Sequence, residues 1–221
     1  GDFIRVIAQE DNTTVSIGGA SITLDKGQFY STPNPVTTEQ IISSDKLISV
    51  AQIALSQYCA STNQGSTSST ESDPDMVILN PIKNRTKDAT TYSSVQEHID
   101  NQFINIVIPT TAASSFKVNG NLPTSATFSQ LGTSKYSYTQ LDVAPYNTSI
   151  PKKSISIRLT ADDGFNAVVY GFGAYESYAY SAGISQPDIC SDPDLPAIAI
   201  PNVFTPNADG FNDVWTITNI S

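Results

Sequence analysis

Histidine, cysteine and basic residues are scarce, and each scarcity narrows what the chain can do. His98 is the single histidine in 221 residues, so a nucleophile that needs an imidazole base has one partner to draw on. It lies in Val95-Gln96-Glu97-His98-Ile99-Asp100 with no glycine-flanked serine nearby, and reads as a surface or turn histidine. Cys59 and Cys190 are too few and too far apart for a zinc site. They are a disulfide candidate, with two free thiols as the alternative; in the chain-entropy model a loop of that length contributes roughly 5 kcal/mol. Lys and Arg number 11 against 21 Asp and Glu, a net charge of -10, which repels a phosphate backbone and excludes nucleic acid as a partner. The longest apolar run, residues 47–55, is broken by Ser49 and Gln52 and falls short of the roughly 20 residues a membrane-crossing helix needs. The opening Gly1-Asp2-Phe3-Ile4-Arg5-Val6 reads as a strand rather than a signal peptide, as expected of a mature or cut fragment.

A helical period is missing too, and a period of two replaces it. Ile155, Ile157 and Leu159 alternate with Ser154, Ser156, Arg158 and Thr160, as half-buried strands do. Val15 and Ile17 alternate with Thr14 and Ser16 in the same way. Residues 47–55 and 167–172 are more continuously apolar, which predicts central strands covered on both faces. With 39% hydrophobic residues, 13 prolines and 12 glycines among short Ser/Thr/Asn/Asp clusters, the chain is predicted to be an all-β, sandwich-like protein with a proper core.

Two strings echo one another. Thr14-Val15-Ser16-Ile17-Gly18-Gly19 is shadowed by Ser115-Phe116-Lys117-Val118-Asn119-Gly120, and residues 42–51 are shadowed by residues 159–169. The echo predicts two related β units, residues 1–95 and 96–185, unless any all-β chain with polar turns repeats such strings. Residues 60–72 read as a Ser/Thr/Asn/Gly loop, and residues 186–196, rich in Pro and Asp, as a linker.

Beyond that linker, Ile200-Pro201-Asn202-Val203-Phe204-Thr205-Pro206-Asn207-Ala208-Asp209-Gly210-Phe211-Asn212-Asp213 resembles the opening of the C-terminal sorting domain of type IX secretion substrates, also called the gliding-motility-associated domain. Ala208 stands where that opening has glycine. The resemblance implies that Pro201, Asn202, Phe204, Thr205, Pro206, Asn207, Asp209, Gly210, Asn212 and Asp213 belong to a sorting motif in residues 197–221. It implies export by the type IX machinery of a Gram-negative bacterium to the cell surface, and so an oxidising setting for the cysteines.

Residues 6 to about 185 resemble the N-terminal domain of IgGFc-binding proteins. The likeness rests on Ala8-Gln9-Glu10-Asp11-Asn12-Thr13-Thr14-Val15, on Asp73-Pro74-Asp75-Met76-Val77-Ile78-Leu79-Asn80-Pro81-Ile82, and on Tyr170-Gly171-Phe172-Gly173-Ala174-Tyr175-Glu176-Ser177-Tyr178-Ala179-Tyr180. It implies an extracellular β-rich domain of binding or adhesion.

The aromatic segment is the candidate ligand site. Tyr170 and Phe172 share one strand face, Tyr178 and Tyr180 share another, and Tyr175 lies between. Exposed, they would stack on sugar rings or anchor a protein partner; buried, they pack a core with their hydroxyls on backbone groups. Acidic pairs at Asp73 and Asp75, Asp162 and Asp163, Asp192 and Asp194, and Asp209 and Asp213 are candidates for calcium, a hard cation that takes six to eight oxygens, or else are turn residues. Only 5 of the 21 acidic residues are glutamate, and most aspartates sit beside turn residues. The expected function is a non-catalytic surface module binding an extracellular glycan or protein. A structural β spacer is the alternative, and a carbohydrate-active enzyme would instead show a cleft with two carboxylates at catalytic separation.

Overall fold

Alternating apolar residues commit most of the described chain to strands, and every pairing among the described residues is antiparallel. The computed structural model describes residues 1–56 and 73–183, and residues Gly1–Ser185 form one compact unit. Cys59, Cys190, the loop at 60–72, the linker and the tail motif lie outside the described residues, as do the aspartates at 192, 194, 209 and 213. The described fold is all-β, as expected; its only helical pieces are two 3-10 turns, Thr110–Ser115 and Ala144–Tyr146.

The first lobe is built from β1 (Phe3–Ala8), β2 (Thr13–Ile17), β3 (Ala20–Leu24), β4 (Phe29–Ser31), β5 (Ile42–Ser44), β6 (Ile48–Ile53) and β7 (Met76–Ile78). A four-stranded sheet runs β4-β1-β6-β7, and a three-stranded sheet runs β3-β2-β5. Their facing sides bury Ile4, Val6, Ala8, Val15, Ile17 and Leu24 as one core, because each strand contributes every second residue to the interior. Turn aspartates hold the connections. Asp45 Oδ1 accepts from Thr14 N at 2.7 Å, Asp25 Oδ1 from Asn12 N at 3.1 Å, and Asp11 Oδ1 from Lys26 N at 2.9 Å.

One expectation fails in this lobe. β6 is central by hydrogen bonding, yet only Ala51 on it is buried, and Leu47 just before it is 61% exposed. The second sheet of the lobe covers one face only, so the outer face keeps Ile7, Phe29, Met76 and Ile78 in solvent.

The second lobe contains β8 (Thr86–Ser93), β9 (Ile99–Pro109), β10 (Lys117–Val118), β11 (Ser129–Gln130), β12 (Tyr136–Asp142), β13 (Ile155–Gly173) and β14 (Glu176–Ala182). β13, at 19 residues, serves two layers. Its first half pairs with β8 and β10, and its second half pairs with β9 and β14. Between Thr160 and Phe165 the register shifts, and Gly164 takes a φ of +74°. A strand that changes sheets through such an irregularity makes the corner of a sandwich. A side chain at Gly164 would meet Thr86 O at 3.0 Å as well as strain the backbone. The enclosed core holds Ile104, Ile106, Ile108, Phe116, Leu141, Ile157, Leu159, Phe165 and Val169.

The two lobes share a pairing order. β1 pairs with β6 as β9 pairs with late β13; β2 pairs with β5 as β10 pairs with early β13; β6 pairs with β7 as late β13 pairs with β14. The echoed strings occupy matching places. Gly18-Gly19 and Asn119-Gly120 are both two-residue turns with positive φ at each position, the geometry that suits a tight hairpin.

The lobes meet along their matching edges, β7 and β14. Ser177 Oγ donates to Asp73 O at 2.6 Å, and Asn80 Nδ2 donates to Ser181 Oγ at 2.6 Å. From β13, Asn166 Nδ2 donates to the carbonyls of Asn80 and Pro81 at 3.1 and 3.0 Å.

Candidate functional site

The hairpin between β13 and β14 decides where the tyrosines go. Its register sets Gly171 opposite Tyr178, Val169 opposite Tyr180 and Tyr170 opposite Ala179. Residues directly opposite each other share a face, so Tyr178 and Tyr180 lie on the core side while Tyr170 and Phe172 lie on the other. The four do not form one platform. Tyr178 and Tyr180 pack against the second core, with ring centroids 6.3 Å apart and nearly parallel.

Their hydroxyls reach backbone. Tyr180 Oη donates to Tyr92 O and accepts from Tyr92 N, both at 2.7 Å. Tyr178 Oη accepts from Ser94 N at 3.3 Å. Both tyrosines thus tie β14 to the free side of β8, which pairs only with β13.

The glycines of the Tyr-Gly-Phe-Gly string make room for this arrangement. A Cβ on Gly171 would fall 2.6 Å from Tyr178 Cε1 and 2.8 Å from Ile99 Cγ2. At Gly173 it would fall 1.6 Å from the carbonyl oxygen of His98. His98 itself is exposed, in the turn before β9, with Glu97 and His98 at φ +50° and +64°. Tyr175, at the hairpin tip, is 58% exposed with φ +64°, apart from the other three.

Burial raises the hydroxyl pKa of Tyr170, Tyr178 and Tyr180 above the ordinary value of 10.0. Hydrogen bonds of Tyr170 with Gln140 and Asn105, of Tyr178 with the Ser94 backbone and of Tyr180 with the Tyr92 backbone oppose that rise in part, while the charge of Asp2 adds to it at Tyr170. A raised acid pKa means that the fold favours the neutral phenol. The contribution to stability is therefore complete below about pH 10 and is lost as pH rises through the folded values. The urea midpoint of the protein should fall steeply above about pH 10, and Tyr178→Phe with Tyr180→Phe should flatten that fall.

Tyr170 and Phe172 face a cleft of about 400 Å³ between the lobes. The first lobe contributes Gly1, Asp2, Gln52, Ala54, Leu55, Asp75 and Val77; the second contributes Asn105, Val168, Tyr170, Gly171, Phe172, Ser177, Tyr178 and Ala179, so Tyr178 reaches the cleft as well. Tyr170 and Phe172 sit in a row with Phe103 on β9, at centroid distances of 5.7 and 5.8 Å. Tyr170 Oη donates to Asn105 Oδ1 at 3.2 Å and accepts from Gln140 Nε2. Across the cleft, Asp2 Oδ2 accepts from Gln52 Nε2 at 2.5 Å, and Asp75 Oδ1 accepts from Met76 N at 2.6 Å.

The aspartates do not assemble further. Among the described residues no group of three or more His, Cys, Asp or Glu comes together. Asp163 lies 3.7 Å from the Arg85 guanidinium, which also donates to its carbonyl, and Asp162 N donates to Ser115 Oγ.

A family model described as IgGFc binding protein matches residues 1–171. The chain belongs to this family. No curated protein and no solved structure matches it. The match spans both lobes of this IgGFc-binding domain and ends inside the Tyr-Gly-Phe-Gly string, short of the sequence resemblance drawn to residue 185. β14 lies beyond the matched residues, yet it completes the sheet of the IgGFc-binding domain and closes the seam with β7. Two of the three strings that carried the likeness, at Asp73 and at Ser177, touch each other in that seam.

Sequence reasoning missed Asp2, Gln52, Phe103, Asn105 and Gln140. The period-two pattern places Phe103 and Asn105 on the wet face of β9, but only the register of β9 against β13 sets Phe103 beside the Tyr170 ring and Asn105 at the cleft. No helix among the described residues is long and apolar enough to cross a membrane.

Proposed function

We propose that the chain is a non-catalytic, extracellular binding module of a surface protein, with a glycan or an extracellular protein as its ligand. Membership of a family described as IgGFc binding protein, over both lobes, is the observation that carries this reading. The two lobes act as related β units that form a scaffold and present the cleft between them. Residues 197–221 address the parent protein to the type IX pathway, Cys59 and Cys190 pair after export, and the tail motif engages the secretion machinery through the complete sorting domain. These readings rest on the tail sequence alone.

Purified full chain should be passed over immobilised immunoglobulin Fc, a panel of extracellular proteins and a glycan array, with calcium and with a chelator. At least one reproducible ligand is expected. A blank result on every surface would favour a structural spacer, and loss of binding in chelator would promote the acidic pairs, Asp73 with Asp75 and Asp209 with Asp213, to candidate calcium ligands. The cleft does hold two carboxylates, Asp2 and Asp75, the feature that a glycoside hydrolase would need. Both already accept hydrogen bonds from within the protein, which suits fixed binding groups. Release of a cleaved sugar from any bound glycan would overturn the non-catalytic reading.

A further inference from the structure

The geometry points to a neutral carbohydrate as the occupant of the cleft between the lobes. The inference rests on the reading of the chain as a ligand-binding module and adds the site and the ligand class. At about 400 Å³ the cleft falls in the range of small-molecule sites, about 300–1,000 Å³.

Its chemistry is divided between two walls. The second lobe supplies the rings of Tyr170 and Phe172, from one face of β13, with Phe103 packed beside them at centroid distances of 5.7 and 5.8 Å. These two rings are a platform for the C–H face of a sugar ring. The first lobe supplies Asp2, Gln52 and Asp75. Planar carboxylates and amides each offer two adjacent donors or acceptors, which is the spacing of neighbouring sugar hydroxyls.

Charge narrows the ligand further. Among the described residues lining the cleft there is no lysine, arginine or histidine. A phosphate, sulfate or sialic acid would be desolvated beside two aspartates with no cationic side chain to offset them, which is costly. A neutral sugar meets no such penalty.

The platform is also held in place before a ligand arrives. The Tyr170 hydroxyl is fixed between Gln140 Nε2 and Asn105 Oδ1, so little rotamer freedom is lost on binding. The same hydrogen bond occupies the oxygen of Asn105 and leaves its Nδ2 hydrogens for a sugar hydroxyl.

The test is an array of neutral, sialylated and sulfated glycans probed with the full chain, with titration calorimetry of any hit and of choline and a lysine-rich peptide. Binding of a neutral glycan is expected, weakened at least about tenfold, or about 1.4 kcal/mol, by Phe172→Ala and by Asp75→Asn. Leu122→Ser, on a side chain 67% exposed and outside the cleft, should leave it unchanged. Far-UV circular dichroism and melting of each variant separate loss of binding from loss of fold, and Asp75→Asn keeps the side-chain shape if Phe172→Ala does not fold. Binding confined to anionic glycans, to choline or to the peptide overturns the inference, as does a neutral glycan whose affinity neither variant changes. A protein ligand with no glycan hit overturns it while the binding-module reading stands; no ligand of any kind removes both.

Discussion

Gly173→Ala should lower the stability of the second lobe by about 3 kcal/mol or more, or prevent it from folding. The added Cβ would stand 1.6 Å from His98 O and 3.1 Å from Ile99 Cα, both backbone atoms that no rotamer change can move. β13 is clamped at this point between β9 and β14, so the strand cannot shift aside without breaking a ladder. Gly171→Ala offers a graded comparison. There the nearest atoms belong to the Tyr178 ring and the Ile99 side chain, which can give way, so a smaller loss is expected. Urea unfolding of the two variants beside the parent chain measures both. Equal losses would show that the His98 carbonyl is not the obstacle.

Phe165→Ala should cost about 3–5 kcal/mol, the range for removing a fully enclosed phenylalanine. Phe165 has no solvent exposure and meets Phe116 edge to face at 5.4 Å and 88°. Phe116 in turn meets Phe128 at 5.5 Å and 75°. The three rings fill the corner where β13 leaves one sheet for the other, so the cavity would open where two layers depend on one strand. Thermal melting and urea denaturation should both report the change. Ile17→Val, in the separate core of the first lobe, should cost only about 1 kcal/mol, and its effect should add to that of Phe165→Ala because the two sites share no neighbours.

Strand character was legible in the sequence wherever one face is wet. Ile157 and Leu159, chosen for their alternation, are buried in the second core. Continuous apolarity was a poorer guide: residues 167–172 and β6 both pair on two edges, yet the first buries only Ala167, Val169 and Gly171 and the second only Ala51. Local pattern reports how apolar a strand is, not whether a second layer reaches it. The tyrosines show the same limit. Alternation correctly grouped Tyr170 with Phe172 and Tyr178 with Tyr180, but the relation between the pairs depends on the number of turn residues. Two of them, Ala174 and Tyr175, place Gly171 against Tyr178 and send the pairs to opposite faces. That parity was available in the sequence once the hairpin ends were known. The cleft was not, because its walls come from residues far apart in the chain, and the Ser177 to Asp73 hydrogen bond that helps set them beside each other spans 104 positions.

A strand with one side unpaired is a template on which a neighbouring molecule can add its own strand. β8 would be such a template for a second copy of the chain. The Tyr180 hydroxyl already occupies both the N–H and the C=O of Tyr92, and Tyr178 takes the N–H of Ser94. Two phenols thereby do at this border what a covering helix or a charged side chain does elsewhere, keeping adjacent copies from knitting into a continuous sheet.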